Sequence, residues 1–115
     1  MKTLINKKDI IGINQEIGET GELQNTGSLD YALSLVNHKK SWLYELSYLT
    51  RSLLVDHAFR DGNKRTALTL ILTYLSDRGI DFNRDEYVKI VHKISKKNIT
   101  DINKIARMIQ SGIIS

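Results

Sequence analysis

The chain has 115 residues, of which 41% are hydrophobic and 26% charged, a balance that predicts one soluble globular domain over residues 1–115. It contains no cysteine, so disulfides and thiolate metal sites are excluded, which fits a reducing compartment. No stretch is long and apolar enough for a membrane span, and residues 1–8 lack the apolar run of a signal peptide, so we expect a cytoplasmic protein with no membrane partner. The net charge of +4 favours anionic partners without choosing among nucleotides, nucleic acids and acidic proteins.

The first third of the chain predicts two helices separated by a glycine-rich segment. Asn6 is a suitable cap for the first helix and Ser28 for the second. Residues 18–27 contain three of the seven glycines, which predicts a loop or a short hairpin. This segment is either a surface connection or a flap that pairs with an extended partner segment by strand addition. The second helix shows helical spacing of its apolar residues: Leu29, Ala32, Leu33 and Val36.

The rest of the chain predicts four more helices, which makes an all-α bundle of about six. A long helix is expected from Ser41 to about Asp56, and residues 67–75 are apolar almost all round, as in a helix at the centre of a bundle. Asn83 begins a capping-box pattern, and Thr100 is a suitable cap for the last helix. The apolar residues of the last two helices are Tyr87, Ile90, Val91 and Ile94, then Ile102, Ile105, Ala106 and Ile109. The predicted stops are Gly79 and Gly112.

Chemistry-bearing residues are concentrated between the long helix and the central one, in the segment His57-Ala58-Phe59-Arg60-Asp61-Gly62-Asn63-Lys64-Arg65. His57 is a group that takes or gives a proton near neutral pH, and the carboxylate of Asp61 suits Mg²⁺. Gly62 lets the backbone approach phosphates closely, at a helix start that itself attracts anions. Lys64 and Arg65 add two positive charges. Together these residues predict transfer of a group from a nucleotide to a hydroxyl.

Several of these residues also have a structural interpretation. His57 can close the apolar face of the long helix, and Asp61 can serve as a turn or N-cap residue. An N-cap role would also explain Asn63. Arg65 in the first turn of a helix is unfavourable against the helix dipole, which indicates an anionic partner.

The same segment resembles the signature of the Fic/Doc family, His-Pro-Phe-x-(Asp/Glu)-Gly-Asn-Gly-Arg-x-x-Arg, and the resemblance extends to nearly the whole chain. It implies the family's helical bundle, with ATP and Mg²⁺ as cofactors. By this resemblance His57 is the general base that takes a proton from the acceptor hydroxyl, and Asp61 holds Mg²⁺ against the nucleotide phosphates. Residues 18–27 stand where family members carry their target-docking flap. The implied phosphate-binding residues are Gly62, Asn63, Lys64 and Arg65.

Three positions depart from that signature: Ala58 replaces the proline, Lys64 the second glycine and Leu68 the second arginine. The last two changes are shared with the death-on-curing (Doc) branch, which is associated with phosphoryl transfer. In adenylyl-transferring Fic enzymes, the original residues help to orient the nucleotide. The resemblance therefore implies a Doc-like toxin that phosphorylates a Ser or Thr hydroxyl of a target protein, by analogy a translation elongation factor. The alternatives are adenylyl transfer and a catalytically silent binding module.

Partner proteins are implied by the same resemblance. Many Fic proteins carry an inhibitory helix with the pattern (Ser/Thr)-x-x-x-Glu-(Gly/Asn), which Ser41 to Glu45 match only in part because Leu46 follows. We therefore expect a separate antitoxin chain that presents an apolar or acidic segment to this basic protein. The chain has no basic-aromatic stripe and no recognisable recognition helix, so a nucleic-acid partner is not expected.

Overall fold

The computed structural model describes residues 5–36 and 41–114. In these residues the chain forms six helices and one two-stranded antiparallel sheet, which confirms the predicted all-α bundle of about six helices. Residues 1–4 lie outside the described residues, so the structure does not bear on the first half of the segment compared with a signal peptide. The elements are α1 (Lys7–Glu16), α2 (Thr26–Val36), α3 (Trp42–Leu54), α4 (Asn63–Asp77), β1 (Asp81–Phe82), α5 (Arg84–Lys97), α6 (Ile102–Ser111) and β2 (Ile113–Ile114).

Helices α3 and α4 form the centre of the bundle. Helix α3 packs against α2, α4, α5 and α6, and α4 packs against α1, α3 and α5. The apolar face of α3 is fully buried at Leu46, Leu49 and Leu53. Burying one such leucine stabilises a fold by about 1.5–3 kcal/mol relative to leaving it exposed. The segment that joins α3 to α4 is therefore held at both ends by helices that lie in the core.

Helix starts follow the predicted caps at the first and fifth helices. The side chain of Asn6 accepts from the N–H of Asp9, and the Asp9 carboxylate accepts from the N–H of Asn6, a complete capping box. The side chain of Asn83 accepts from the N–H of Asp85 at the start of α5, so Asn83 is the cap, but among the described residues the return bond from Glu86 that a capping box requires is not formed. In both cases an asparagine satisfies backbone donors that the first turn leaves open.

Two predicted caps are wrong. Helix α2 begins at Thr26, and the N–H of Ser28 donates to Asn25 Oδ1, so Asn25 takes the capping role. Helix α6 is capped by Asp101, whose carboxylate accepts from Asn103 and Lys104, in place of Thr100. Aspartate is a stronger N-cap than threonine, which accounts for Asp101. At α2 the hydroxyl of Ser28 instead donates to the Asp56 carboxylate, so Ser28 does not cap the helix.

Two features hold together the end of the bundle formed by α5 and α6: the small sheet and a buried tyrosine. In the sheet Asp81 pairs with Ile114 and Phe82 with Ile113. The hydroxyl of Tyr87 donates to the carbonyl of Ile109 over 2.6 Å. Burial raises the pKa of Tyr87 to about 12, because it disfavours the phenolate. The hydroxyl therefore keeps its proton, and this hydrogen bond, at neutral pH.

Among the described residues, no helix has the length and apolar character needed to cross a bilayer.

Candidate active site

The segment between α3 and α4 is fastened to the protein by its backbone. The N–H of Ala58 donates to the carbonyl of Ser52, and the Ala58 carbonyl accepts from the N–H groups of Gln24 and Asn25. Ala58 and Phe59 are both fully buried, so Phe59 anchors this segment in the core. The side chains on either side of this anchor, His57 and Arg60, are exposed to solvent. One face of the segment is thus fixed while the other is available to a ligand.

The glycine-rich segment, residues 18–25 in the structure, is a loop that lies along the segment just described. Leu23 forms an isolated antiparallel bridge with Phe59, and the N–H of Arg60 donates to the carbonyl of Glu22. The side chains of Arg60 and Glu22 add an exposed ion pair of 3.3 Å, a kind of contact worth at most about 1 kcal/mol. Of the two predicted forms, loop and hairpin, the structure has the loop. Strand addition by a partner remains a prediction.

His57 has a left-handed backbone conformation, with φ of +51°. Histidine is among the few non-glycine residues enriched in this region, which is nevertheless less favourable than the right-handed one. Strained backbone is commonly found at functional sites because the surrounding structure maintains it. Here the buried Ala58 and Phe59 follow directly, so the turn at His57 places the imidazole at the protein surface.

Asn63 is the first residue of α4 and holds the preceding segment in shape. Its side chain accepts from the N–H of Phe59 over 2.9 Å and donates to the Phe59 carbonyl over 2.8 Å. Gly62, not Asn63, occupies the N-cap position. Because both polar groups of the Asn63 amide are engaged within the protein, a phosphate at this place would meet its backbone N–H rather than its side chain.

The start of α4 has no side-chain cap. Gly62 has φ of +78°, has no side chain, and none of the described side chains bonds to the free N–H groups of this helix start. The first intrahelical bond runs from the N–H of Thr66 to the carbonyl of Gly62, so the N–H groups of residues 63–65 precede the hydrogen-bonded ladder. This turn holds no acidic residue and carries Lys64 and Arg65. Unpaired N–H groups, the positive end of the helix dipole and two cations together attract an anion.

All six predicted site residues line one open pocket of about 380 Å³, a volume within the range of small-molecule sites. Three further residues also line it, and of these Ser95 comes from α5, where no local pattern in the sequence marked it. The lining residues are Leu54, His57, Arg60, Asp61, Gly62, Asn63, Lys64, Arg65 and Ser95.

Asp61 is exposed at this pocket, and within the described residues nothing bonds to its carboxylate. The capping role considered for it is therefore not seen. No three described His, Asp or Glu side chains lie close enough together to hold a metal on their own. A single carboxylate fits Mg²⁺, which is usually bound through one or two carboxylates, waters and substrate phosphates.

A second, smaller cleft of about 170 Å³ lies beside the pocket, between α4 and α5. It shares Lys64 and Arg65 with the pocket and is otherwise mostly apolar. Leu68, which stands where the signature has its second arginine, is one of the residues that line this cleft. The remaining lining residues are Val88, Val91 and His92.

A helical bundle that presents a histidine and an uncapped, cationic helix start to one pocket has the features expected of a nucleotide-dependent transferase. The model of the Fic/DOC family matches residues 4–75, from α1 through most of α4. The chain belongs to the Fic/DOC family. Members of this family are generally nucleotide-dependent enzymes that modify proteins, typically with ATP and Mg²⁺. Among curated proteins there is no match to the chain.

Proposed function

We propose that this protein transfers the γ-phosphoryl group of ATP to a Ser or Thr hydroxyl of another protein. The observation that carries the proposal is that His57 and the uncapped start of α4 line the same open pocket. A proton acceptor and an anion site in one pocket are what phosphoryl transfer to a hydroxyl needs, because that reaction depends on positioning and charge stabilisation.

His57 takes the proton from the acceptor hydroxyl as its oxygen forms a bond to the γ-phosphorus. The bond from that phosphorus to the β–γ bridging oxygen breaks, and ADP leaves with the electron pair. Lys64, Arg65 and the free N–H groups of the first turn of α4 stabilise the charge on the phosphate oxygens. Mg²⁺, when bound, neutralises part of the same charge, and Asp61 is the residue that would hold it.

We favour phosphoryl transfer over adenylyl transfer because Leu68 stands at the position of the second signature arginine. In the family signature, an arginine at this position helps to orient the nucleotide for adenylyl transfer. Leu68 instead lines an apolar cleft, where it offers no charge to a phosphate. The cations in the first turn of α4 are Lys64 and Arg65, so the positive charge available to phosphate lies at the start of the helix and not at position 68.

Labelled ATP distinguishes the two reactions directly. We expect label from γ-³²P ATP, and none from α-³²P ATP, on proteins of a bacterial lysate treated with this protein and Mg²⁺. Mass spectrometry of the labelled proteins should then show Ser or Thr residues with a phosphoryl increment. A translation elongation factor, the target by analogy with the Doc branch, is the first purified acceptor to use. Label from the α position would overturn phosphoryl transfer in favour of adenylyl transfer.

Inhibition by a separate antitoxin chain is part of the proposal. Within the described residues, the carboxylate that lines the pocket is that of Asp61. Glu45, from the partial inhibitory pattern, instead lies near Tyr74 and Arg78, outside the pocket lining. Burial raises the pKa of the Glu45 carboxyl, against the opposing effect of Arg78. An acidic peptide supplied in trans should therefore lower transfer by competing with ATP, and a purely non-competitive effect would contradict this.

A further inference from the structure

Asn14, near the end of α1, is a buried polar residue whose side chain reaches the active-site loop. It is 1% exposed. Its Nδ2 donates to the carbonyl of Asp61 over 3.0 Å and to Oγ1 of Thr66 over 3.1 Å. Its Oδ1 accepts from the N–H of Gly21 over 2.9 Å. The amide therefore has partners for both of its donor hydrogens and for its oxygen.

These three hydrogen bonds join parts of the site that are far apart in the sequence. The carbonyl of Asp61 precedes the N-cap glycine directly, and Thr66 lies in the first turn of α4. Gly21 belongs to residues 18–25, the loop that lies along the segment between α3 and α4. The backbone carbonyl of Asn14 also accepts from the N–H of Glu19 in the same loop. The Asn14 side chain thus connects the carbonyl before Gly62 to the first turn of α4 and to the loop of residues 18–25.

The turn packs closely against Asn14. A Cβ atom added at Gly62 would lie 3.2 Å from Asn14 Nδ2 and 2.5 Å from Glu19 Cγ. The glycine therefore allows α1 and residues 18–21 to approach the turn at a distance that another residue would not permit. Displacement of Asn14 would remove the hydrogen bond that holds the turn just before the free N–H groups of residues 63–65.

We propose that Asn14 is a positioning residue that holds the Asp61–Gly62 turn in the shape needed to bind phosphate; this rests on the proposed function. It acts through the Asp61 carbonyl and the first turn of α4, and touches neither nucleotide nor acceptor. A more mobile turn lowers the affinity for the nucleotide, because anion binding by backbone N–H groups depends on their fixed direction.

The test compares Asn14→Ala with Tyr87→Phe. Tyr87→Phe removes a different buried hydrogen bond, the one to the Ile109 carbonyl, and so serves as a control for destabilisation outside the site. Both variants are assayed at a temperature at which they are folded, for γ-label transfer and for binding of a non-hydrolysable ATP analogue with Mg²⁺. We expect Asn14→Ala to raise the KM for ATP and the Kd of the analogue about tenfold, with a smaller change in kcat. Tyr87→Phe should leave both constants within about twofold, in line with the independence of distant sites.

Equal constants for Asn14→Ala and the wild type would overturn the proposal and leave Asn14 with a role in stability alone. If Asn14→Ala does not fold, Thr66→Val is the second variant, since it removes one acceptor of Asn14 with little change of volume. It should raise the KM and the analogue Kd in the same direction by about two- to fivefold, because the bond to Asp61 remains; unchanged constants would count against positioning. A wild-type protein that binds the analogue but transfers no label overturns the proposed function, and the binding constants still decide the role of Asn14.

Discussion

Helices α4 and α6 begin in opposite ways. At α6 the carboxylate of Asp101 accepts from the N–H groups of Asn103 and Lys104, so the first turn is satisfied within the protein. At α4 the cap is Gly62, which has no side chain, and the first turn carries two cations and no acid. A side-chain cap is worth about 0.5–2 kcal/mol, and a cation near a helix N-terminus costs about 0.3–1 kcal/mol.

Helix α4 thus lacks local stabilisation that α6 has, and tertiary packing offsets the difference. Ala67, Leu70 and Ile71 are completely buried against the rest of the bundle. A phosphate bound at this helix start would supply the missing acceptor and the missing negative charge together. Under the proposed function, α4 begins in a way that favours a bound phosphate over the local stability of the helix.

The largest effect is expected at His57, which faces the open helix start. His57→Asn removes the proton acceptor but keeps a residue that tolerates φ of +51°. We expect kcat for γ-label transfer to fall about 10²–10⁴-fold, the usual contribution of a general base, with the free energy of unfolding nearly unchanged. Transfer rates and urea unfolding measure the two quantities. A variant that keeps its kcat would remove His57 from the chemistry.

The next largest effect is expected from Arg65→Gln, with Lys104→Gln as its control. Arg65 and Lys104 are both the third residue of their helix, at α4 and α6 respectively. Loss of either cation should stabilise the fold slightly, by up to about 1 kcal/mol, because it relieves the unfavourable interaction with the helix dipole. Only Arg65→Gln should weaken binding of the ATP analogue, by about 1.5–3 kcal/mol for a charged hydrogen bond.

Calorimetric titration and thermal unfolding of both variants measure these two changes. Equal analogue affinity in the Arg65 and Lys104 variants would mean that the start of α4 attracts the nucleotide no more than that of α6.

Most of the fold and of the site could be predicted from the sequence because the relevant signals are local. The spacing of apolar residues predicted the helices, and the six site residues occupy a single stretch from His57 to Arg65, so finding one located the others. The roles assigned to those residues in binding and transfer stay predictions. The caps at Asn6 and Asn83 were also predicted, since a cap acts within one turn of its own helix.

The parts that sequence reasoning missed depend on contacts between distant segments. Asn14 lies 47 residues before its partner Asp61, and no spacing rule connects them. Ser95 reaches the pocket from α5 through packing against the other helices. Ser28 looked like a cap, but its hydroxyl donates to the Asp56 carboxylate over 2.6 Å, a bond that exists only once α2 lies against α3. Such roles follow from tertiary packing, which a single sequence does not display.

Gly62→Ala, compared with Gly79→Ala, separates backbone strain from close packing at the open helix start. Both glycines have positive φ, +78° and +68°, so alanine costs about 1–2 kcal/mol of conformational energy at either position. At Gly79 the added Cβ meets nothing within 4 Å, whereas at Gly62 it meets Glu19 Cγ at 2.5 Å. We expect Gly62→Ala to lower the free energy of unfolding by about 1 kcal/mol more than Gly79→Ala, the scale of overpacking. It should also weaken binding of the ATP analogue, which Gly79→Ala should not.

Urea unfolding and analogue titration of the two glycine variants test this difference. Equal losses of stability would mean that the contacts of Gly62 with α1 and residues 18–21 relax without cost, which would also weaken the case for Asn14 as a support of the turn.

The smallest effect is expected at the closed helix start. Asp101→Ala removes the acceptor for two N–H groups of α6, so the free energy of unfolding should fall by about 1 kcal/mol. Affinity for the ATP analogue should not change, because Asp101 does not line the pocket. If Asp101→Ala weakened nucleotide binding as much as Arg65→Gln, α6 would be coupled to the pocket, and the absence of a cap at α4 would no longer distinguish a binding helix start from a structural one.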